Sequence, residues 1–171
     1  MTGRATTLLL TAGAAALAVS MIASTPAKRY VWNASGSVPV GLYRLQPAGE
    51  LFATQLVAVQ PPEPLATFIA DQRYLPRGVP MLKRVVALPG QTVCRDGLTI
   101  TVDNIAVGEA RDRDSRGRPL PVWQGCRVVA DGEVFLMNWR SADSLDGRYF
   151  GVLPMSAIIG RAEPLWTSGE E

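Results

Sequence analysis

A lysine set in an apolar run is the residue of this chain best suited to acid-base chemistry. The only lysines are Lys28 and Lys83, and all other basic residues are arginines. Lys83 lies in Met81–Gly90 (MLKRVVALPG), whose β-branched residues and closing Pro-Gly predict a strand that ends in a turn. A dehydrated lysine can lose its proton and act as a general base, whereas arginine stays charged. The alternative is a strand lysine whose ammonium reaches water.

The absence of histidine narrows the kinds of site that this chain can build. With no histidine, a Ser-His-Asp triad, a Cys-His pair and a histidine-ligated zinc site are excluded. The two cysteines, Cys94 and Cys126, are too few for a zinc site made of thiolates. We therefore expect no metal or other cofactor, and a base that is a carboxylate or a lysine.

Two serines in a turn-like segment are candidates for a nucleophile and its helper. Ser35 and Ser37 lie in Asn33–Tyr43 (NASGSVPVGLY), which has the composition of a turn. A serine hydroxyl becomes nucleophilic when a base lies within hydrogen-bond distance, and the oxyanion that then develops needs donors. The Ser37 N–H and the Ser35 hydroxyl could supply them, and a hydroxyl such as that of Ser144 could orient a lysine amine. The alternative is loop serines that bond to nearby backbone.

Short strands must position these groups. Frequent Gly and Pro, short β-rich runs and one short helix predict a mostly β, antiparallel domain. The predicted strands, beside the one that holds Lys83, are Gln55–Gln60, Val122–Ala130, Gly132–Asn138 and Ile158–Trp166, with a hairpin over Thr92–Val102 on an Asp96-Gly97 turn and a helix within Pro61–Arg73.

An uncharged segment, Ala5–Ala27, precedes this domain. It is long enough to cross a bilayer as a helix. Arg4 lies before it and Lys28-Arg29 follow it, so the flanking charges do not set its orientation. We expect residues 1–29 to be a transmembrane anchor, with a removed signal sequence or a buried core helix as alternatives, and residues 30–171 to be an extracytoplasmic domain. A net charge of +2 without a basic patch argues against nucleic-acid binding.

Four segments of the chain occur in an order shared with a known family. They are Asn33–Tyr43, Lys83–Gly90 (KRVVALPG), Ser144–Gly151 (SLDGRYFG) and Gly160–Ala162 (GRA). Together they resemble the boxes of the type I signal peptidase superfamily of serine-lysine proteases, and in particular its TraF-like conjugative-transfer branch. The resemblance implies an antiparallel signal-peptidase-like β domain.

The resemblance also implies a role for each matching residue. Ser37 would be the nucleophile and Lys83 the general base, with Ser35 donating to the oxyanion and Ser144 orienting the amine. Asp146 and Arg148 would form a supporting ion pair near the site, with a purely structural pair as the alternative.

The chain departs from the general boxes of this superfamily at several positions. Ala87 stands where glycine is usual, Gln91 where aspartate is usual, and Gly147 replaces the second serine of S-x-D-S-R. Met137–Arg140 (MNWR) replaces the usual Gly-Asp-Asn. These departures weaken an assignment as a general secretory signal peptidase and favour the TraF-like branch.

That branch implies an endopeptidase for the pilin precursor of a conjugation (type IV secretion) system. The acyl-enzyme would pass to water, or to an amine with cyclisation of the product. The catalytic domain would lie on the periplasmic side of the inner (cytoplasmic) membrane, with the bilayer and a membrane-embedded precursor as partners. A Cys94–Cys126 bridge fits an oxidising compartment, with two free thiols as the alternative.

Two other functions remain to be weighed against the peptidase. The first is a non-enzymatic, membrane-tethered β module of a conjugation or secretion machine. The second is a self-cleaving repressor, which the N-terminal segment argues against because it has no helix-turn-helix pattern.

Overall fold

A computed structural model describes residues 29–168, together with residues 3–4, 6–11 and 13 near the N-terminus, which are helical. Among the residues so described, no helix combines the length and the apolar character needed to cross a membrane. The predicted anchor spans residues 1–29, and most of its uncharged segment, Ala5–Ala27, lies outside the described residues. The anchor therefore stays a prediction.

Residues 30–168 contain eleven strands and three short helices, joined by turns and loops. The strands are β1 (Tyr30–Asn33), β2 (Val40–Gln46), β3 (Leu56–Val59), β4 (Met81–Ala87), β5 (Thr92–Asp96), β6 (Thr99–Val102), β7 (Ile105–Glu109), β8 (Gly125–Val128), β9 (Glu133–Leu136), β10 (Leu153–Pro154) and β11 (Ile158–Ser168). The helices are α1 (Leu65–Asp71), α2 (Gly147–Phe150) and a 3₁₀ turn at Met155–Ala157.

The strands form two sheets. The larger has the order β1-β2-β11-β3-β4-β9-β10 and the smaller the order β7-β6-β5-β8. The strand pairs are antiparallel, which confirms the predicted antiparallel β architecture. The last strand, β11, lies between β2 and β3. It therefore joins the β1–β2 hairpin to β3, which in turn pairs with β4, the strand that carries Lys83.

Some turns follow a different register from the predicted one. Asp96 pairs with Thr99, so the loop of the β5–β6 hairpin is Gly97-Leu98 rather than Asp96-Gly97, with Gly97 at a φ of 58°. Asp103 and Asn104 have φ values of 49° and 66° and close a tight β6–β7 hairpin. Asp and Asn tolerate this left-handed backbone, and β7 escaped prediction because its turn lacks glycine.

The core of the larger sheet has two faces. Val57 and Val59 of β3 belong to a cluster on one face, and Leu56 and Ala58 to a cluster on the other, which follows from the alternation of side chains along a strand. On β4, Met81 and Val85 lie in the first of these clusters. Lys83 falls between them on the same face, so the strand itself directs its side chain into the core.

A disulfide bond joins Cys94 to Cys126. The two residues face each other on the neighbouring strands β5 and β8 of the smaller sheet. The sequence left open whether these cysteines pair, since nothing in it showed that the two strands are neighbours.

The structure explains why glycine stands at position 147. A Cβ added there would lie 2.6 Å from a ring carbon of Phe135 and 2.7 Å from the carbonyl oxygen of Leu136. Distances this short require the backbone or the ring to move. The serine that the superfamily usually has at this position would not fit the backbone as it is arranged here.

We therefore expect Gly147→Ser to lower the free energy of unfolding by about 1–3 kcal/mol, the usual penalty for overpacking a core. Urea unfolding followed by tryptophan fluorescence measures the change. Gly36→Ser is the matched control, because a Cβ at Gly36 meets no atom within 4 Å. Equal stability of the Gly147→Ser variant and the unaltered protein would contradict this account of the departure.

Candidate active site

The loop that carries Ser37 is organised by the side chain of Asn33, at the end of β1. This buried amide donates to the carbonyl oxygens of Ser35 (2.8 Å), Val38 (3.0 Å) and Pro39 (3.1 Å). Its oxygen accepts from the N–H of Ser35 at 3.3 Å. One side chain therefore ties together both ends of the loop that joins β1 to β2. Sequence reasoning placed Asn33 in a motif but gave it no role.

Ser35 and Ser37 are in contact within this loop. Their hydroxyl oxygens lie 3.1 Å apart, and the Ser35 hydroxyl also donates to the side-chain oxygen of Asn33 at 2.9 Å. Because a hydroxyl has one proton, the Ser37 hydroxyl is the donor in the Ser35–Ser37 pair. The Ser35 hydroxyl must therefore rotate away from Asn33 before it can donate to an oxyanion.

The Lys83 amine is almost completely out of water. The residue is only 4% exposed, and its amine donates to the Ser144 hydroxyl at 2.7 Å. Burial lowers the pKa of Lys83 to about 8, against an opposing effect of the Asp146 carboxylate. A substantial fraction of the amine is therefore neutral near pH 8, and a neutral amine that donates one proton to Ser144 still has a lone pair to accept another.

Asp146 and Arg148 form a buried ion pair beside this amine. The guanidinium donates to both carboxylate oxygens of Asp146, each at 2.9 Å. It also donates to the carbonyl oxygens of Ser141 (2.7 Å) and Ser144 (3.1 Å). The pair thus fixes the segment that presents the Ser144 hydroxyl to Lys83.

Asn138 lies two residues after the end of β9 at Leu136. Its side chain bonds to β4, the strand of the candidate base Lys83, which we call the base strand. Its side-chain amide donates to the carbonyl of Leu82 at 3.0 Å, and its oxygen accepts from the N–H of Arg84 at 3.2 Å. Its own N–H donates to the Asp146 carboxylate at 3.1 Å. Asn138 therefore holds the backbone on both sides of Lys83 and links it to the ion pair. The sequence signal was a lone amide at the end of an apolar strand.

Arg95 connects the smaller sheet to the same region. This residue is 1% exposed, and its guanidinium donates to the carbonyl oxygens of Arg148 (2.7 Å) and Gly97 (3.1 Å). A buried cation satisfied by carbonyl oxygens fixes the backbone that it bonds. Sequence reasoning did not single out Arg95, since it looks like an ordinary polar residue of a hairpin.

One cavity of about 730 Å³ contains the candidate nucleophile and the candidate base. Ser35, Ser37, Lys83 and Ser144 line it, together with apolar side chains. The hydrogen bonds of the two central groups go to other partners, since Ser37 bonds to Ser35 and Lys83 to Ser144. Ser37 and the buried residue Lys83 therefore border the same cavity.

Comparison with known proteins identifies the family. The model of the family described as "Signal peptidase, peptidase S26" matches residues 3–166 of this chain. The chain belongs to this signal peptidase family. The expected superfamily is thereby confirmed.

Several relatives of this signal peptidase family member carry names from plasmid transfer. The "Conjugal transfer protein TraF" of Agrobacterium fabrum is 35% identical, over 81% of this chain and 82% of that protein. A second one, from Agrobacterium tumefaciens, is 32% identical, over 94% of this chain and 95% of that protein. The "Plasmid transfer protein TraF" of Escherichia coli is 30% identical, over 79% of this chain and 81% of that protein.

Among solved structures, a signal peptidase I from Enterococcus faecalis V583 is similar to this family member. It is 18% identical, covers 67% of this chain and 97% of its own, and has a TM-score of 0.40.

The contacts of Asn138 lead to a prediction for the base strand. Asn138→Leu keeps the bulk of the side chain but leaves the N–H of Arg84 and the carbonyl of Leu82 without this partner. We expect a loss of about 1–3 kcal/mol in the free energy of unfolding and faster exchange of the Arg84 amide proton, measured by hydrogen–deuterium exchange.

Asn104→Gly in the exposed β6–β7 turn is the control, because the left-handed φ of 66° at Asn104 suits glycine. It should leave the exchange of the Arg84 amide unchanged. If Asn138→Leu also left it unchanged, Asn138 would not hold the base strand.

Proposed function

We propose that this chain is a serine-lysine endopeptidase in which Ser37 is the nucleophile and Lys83 the general base. One observation carries the proposal: a buried amine with a pKa lowered to about 8 lines the same cavity as the Ser37 hydroxyl. Membership of the signal peptidase family supports it. In the absence of histidine, the amine is the group suited to take the proton of a serine.

In the first step, the Ser37 oxygen attacks the carbonyl carbon of the scissile bond while the neutral Lys83 amine accepts the hydroxyl proton. For this the Ser37 hydroxyl turns from Ser35 to the amine, and Ser144 keeps the amine oriented. The negative oxygen that forms is stabilised by the Ser37 N–H and by the rotated Ser35 hydroxyl. The ammonium of Lys83 then gives its proton to the leaving nitrogen, and the C–N bond breaks to leave an ester on Ser37.

In the second step, a water molecule or an amine attacks this ester. The neutral Lys83 amine removes a proton from the attacking group and returns one to the Ser37 oxygen. Attack by water releases a carboxylic acid. Attack by an amine of the same polypeptide forms a new amide bond and releases a cyclised product.

The proposed substrate is the pilin precursor of a conjugation system, embedded in the membrane. The names of the relatives from Agrobacterium and Escherichia coli support a role in conjugal transfer. The apolar lining of the larger cavity, which includes Ile69, Leu75, Val79 and Leu145, supports a substrate with an apolar segment next to the cleaved bond.

The proposed location is the inner membrane, with residues 30–171 on the periplasmic side. Exposed aromatic residues of β1 and of the C-terminal part of β11 support contact with a membrane interface, where such rings are enriched. Tyr30, Trp32 and Trp166 are 57%, 56% and 60% exposed, and the two indole rings stack with centroids 5.8 Å apart. The disulfide supports an oxidising compartment.

Substitution of the two central residues tests the chemistry. Ser37→Ala and Lys83→Arg should each abolish processing of a co-expressed pilin precursor, because alanine has no nucleophile and arginine keeps its proton. The product mass, read by mass spectrometry, distinguishes the uncut precursor, the hydrolysed product and a cyclised product that is lighter than the hydrolysed one by one water.

Ser156→Ala is the matched control, because Ser156 is exposed in the 3₁₀ turn Met155–Ala157, and it should process the precursor normally. Processing by the Lys83→Arg variant would contradict the proposed base. Processing that survives Ser37→Ala would favour a non-enzymatic, membrane-tethered module, with another protein as the peptidase.

The lowered pKa of Lys83 predicts a pH dependence. Only the neutral amine can accept the Ser37 proton, and its fraction falls as the pH falls below the pKa of about 8. The rate of Ser37 acylation by a penem should therefore fall roughly tenfold per pH unit between pH 8 and 6 and level off above pH 9. The acylation rate is measured by mass spectrometry of samples quenched at successive times. A rate that does not change from pH 6 to 9 would exclude Lys83 as the base.

A further inference from the structure

A second cavity also borders Ser37. It has a volume of about 360 Å³. Ser37 lines this cavity as well as the larger one, whereas Lys83 and Ser144 line only the larger one among the cavities described here. Ser37, with Gly36 and Ser141, thus borders two cavities whose other lining residues differ.

The walls of the smaller cavity are positively charged. Among the described residues that line it are Arg84 and Arg140, and none of them is acidic. The guanidinium of Arg84 lies 5.8 Å from the ring centroid of Trp139 and donates to the carbonyl of Thr54 at 3.1 Å. Arg140 is exposed to solvent. Two guanidinium groups at a concave surface beside a nucleophile favour a carboxylate.

Part of this positive charge comes from a segment that departs from the family pattern. Trp139 and Arg140 belong to the MNWR segment that replaces the usual Gly-Asp-Asn. A segment that usually carries an acidic residue carries an arginine here. The departure therefore adds a positive charge to the lining of the cavity.

The two cavities suit different halves of a substrate. The acyl half must remain bound after the first step, which favours the larger cavity with its apolar walls. Residues of β1, which is the edge strand of the larger sheet, also line that cavity. So do Met81–Lys83, the part of β4 that does not pair with β9. The leaving half must depart before the second step, which favours the smaller cavity beyond Ser37.

We propose that the smaller cavity binds the leaving segment of the substrate and selects one that carries a carboxylate close to the cleaved bond. This rests on the proposed function and adds a substrate class to it. The carboxylate is an Asp or Glu side chain, or the terminal carboxylate of a short leaving peptide. In this arrangement Trp139 packs against the leaving segment of the substrate. Arg140 binds its carboxylate and is the specificity-determining residue.

Synthetic peptides test this selection. Each peptide has one cleavable bond and carries Glu, Gln or Lys at one of the first four positions after that bond, with the C-terminus free or amidated. At one or more of these positions we expect kcat/KM to be roughly tenfold higher for Glu than for Gln, and lower still for Lys, as for a charge-assisted contact in a cleft. An effect of the amidation alone identifies the terminal carboxylate as the recognised group.

Charge reversal assigns the selection to a residue. Arg140→Glu should invert the order so that the Lys peptide is cut fastest, and Arg140→Gln should remove the preference. Arg113→Glu is the matched control, because Arg113 is an exposed arginine of the loop after β7 and does not line either cavity beside Ser37. This control should keep the preference for Glu. Thermal unfolding checks that each variant is folded.

The outcomes separate this inference from the proposed function. Equal cleavage of the Glu, Gln and Lys peptides by the unaltered protein, with loss of cleavage in Ser37→Ala, would overturn the inference and leave the peptidase intact. A preference that Arg140→Glu does not change would overturn the assignment to this cavity.

Discussion

The structure depends on holding one amine out of water without giving it a carboxylate as its direct partner. Lys83 donates to the neutral hydroxyl of Ser144, and among the described residues it forms no ion pair that would keep the amine charged. The carboxylate that raises its pKa, Asp146, is itself paired with Arg148, which lowers the pKa of Lys83. Burial therefore dominates and lowers the pKa of this amine to about 8.

The residues that bond to the backbone around this amine explain how the site keeps its shape. Asn33 organises the nucleophile loop and Asn138 holds the base strand. Arg148 and Arg95 fix the segment that carries Ser144. Each of these side chains is buried and donates to main-chain carbonyls, so the sheet geometry and the positions of the reactive side chains are set by the same contacts.

The sequence alone predicted part of the fold and part of the candidate site. Residue types and motif order indicated Ser37, Lys83 and Ser144, because their chemistry is local to each side chain. Periodicity predicted an antiparallel β domain, because alternating burial is a property of single strands. The second sheet, the roles of Asn33 and Asn138, and the cavity beside Arg140 depend on which strands are neighbours, and single-strand patterns do not contain that information.

The place of β11 between β2 and β3 governs when the two parts of the larger sheet can come together. Ser37 belongs to the first hairpin and Lys83 to β4, and the final strand separates the two parts of the sheet. A chain made from its N-terminus folds its early segments first, but here they cannot be brought into one sheet before residues 158–168 have been synthesised. A growing or truncated polypeptide that lacks β11 therefore contains both Ser37 and Lys83 but cannot hold them in one continuous sheet.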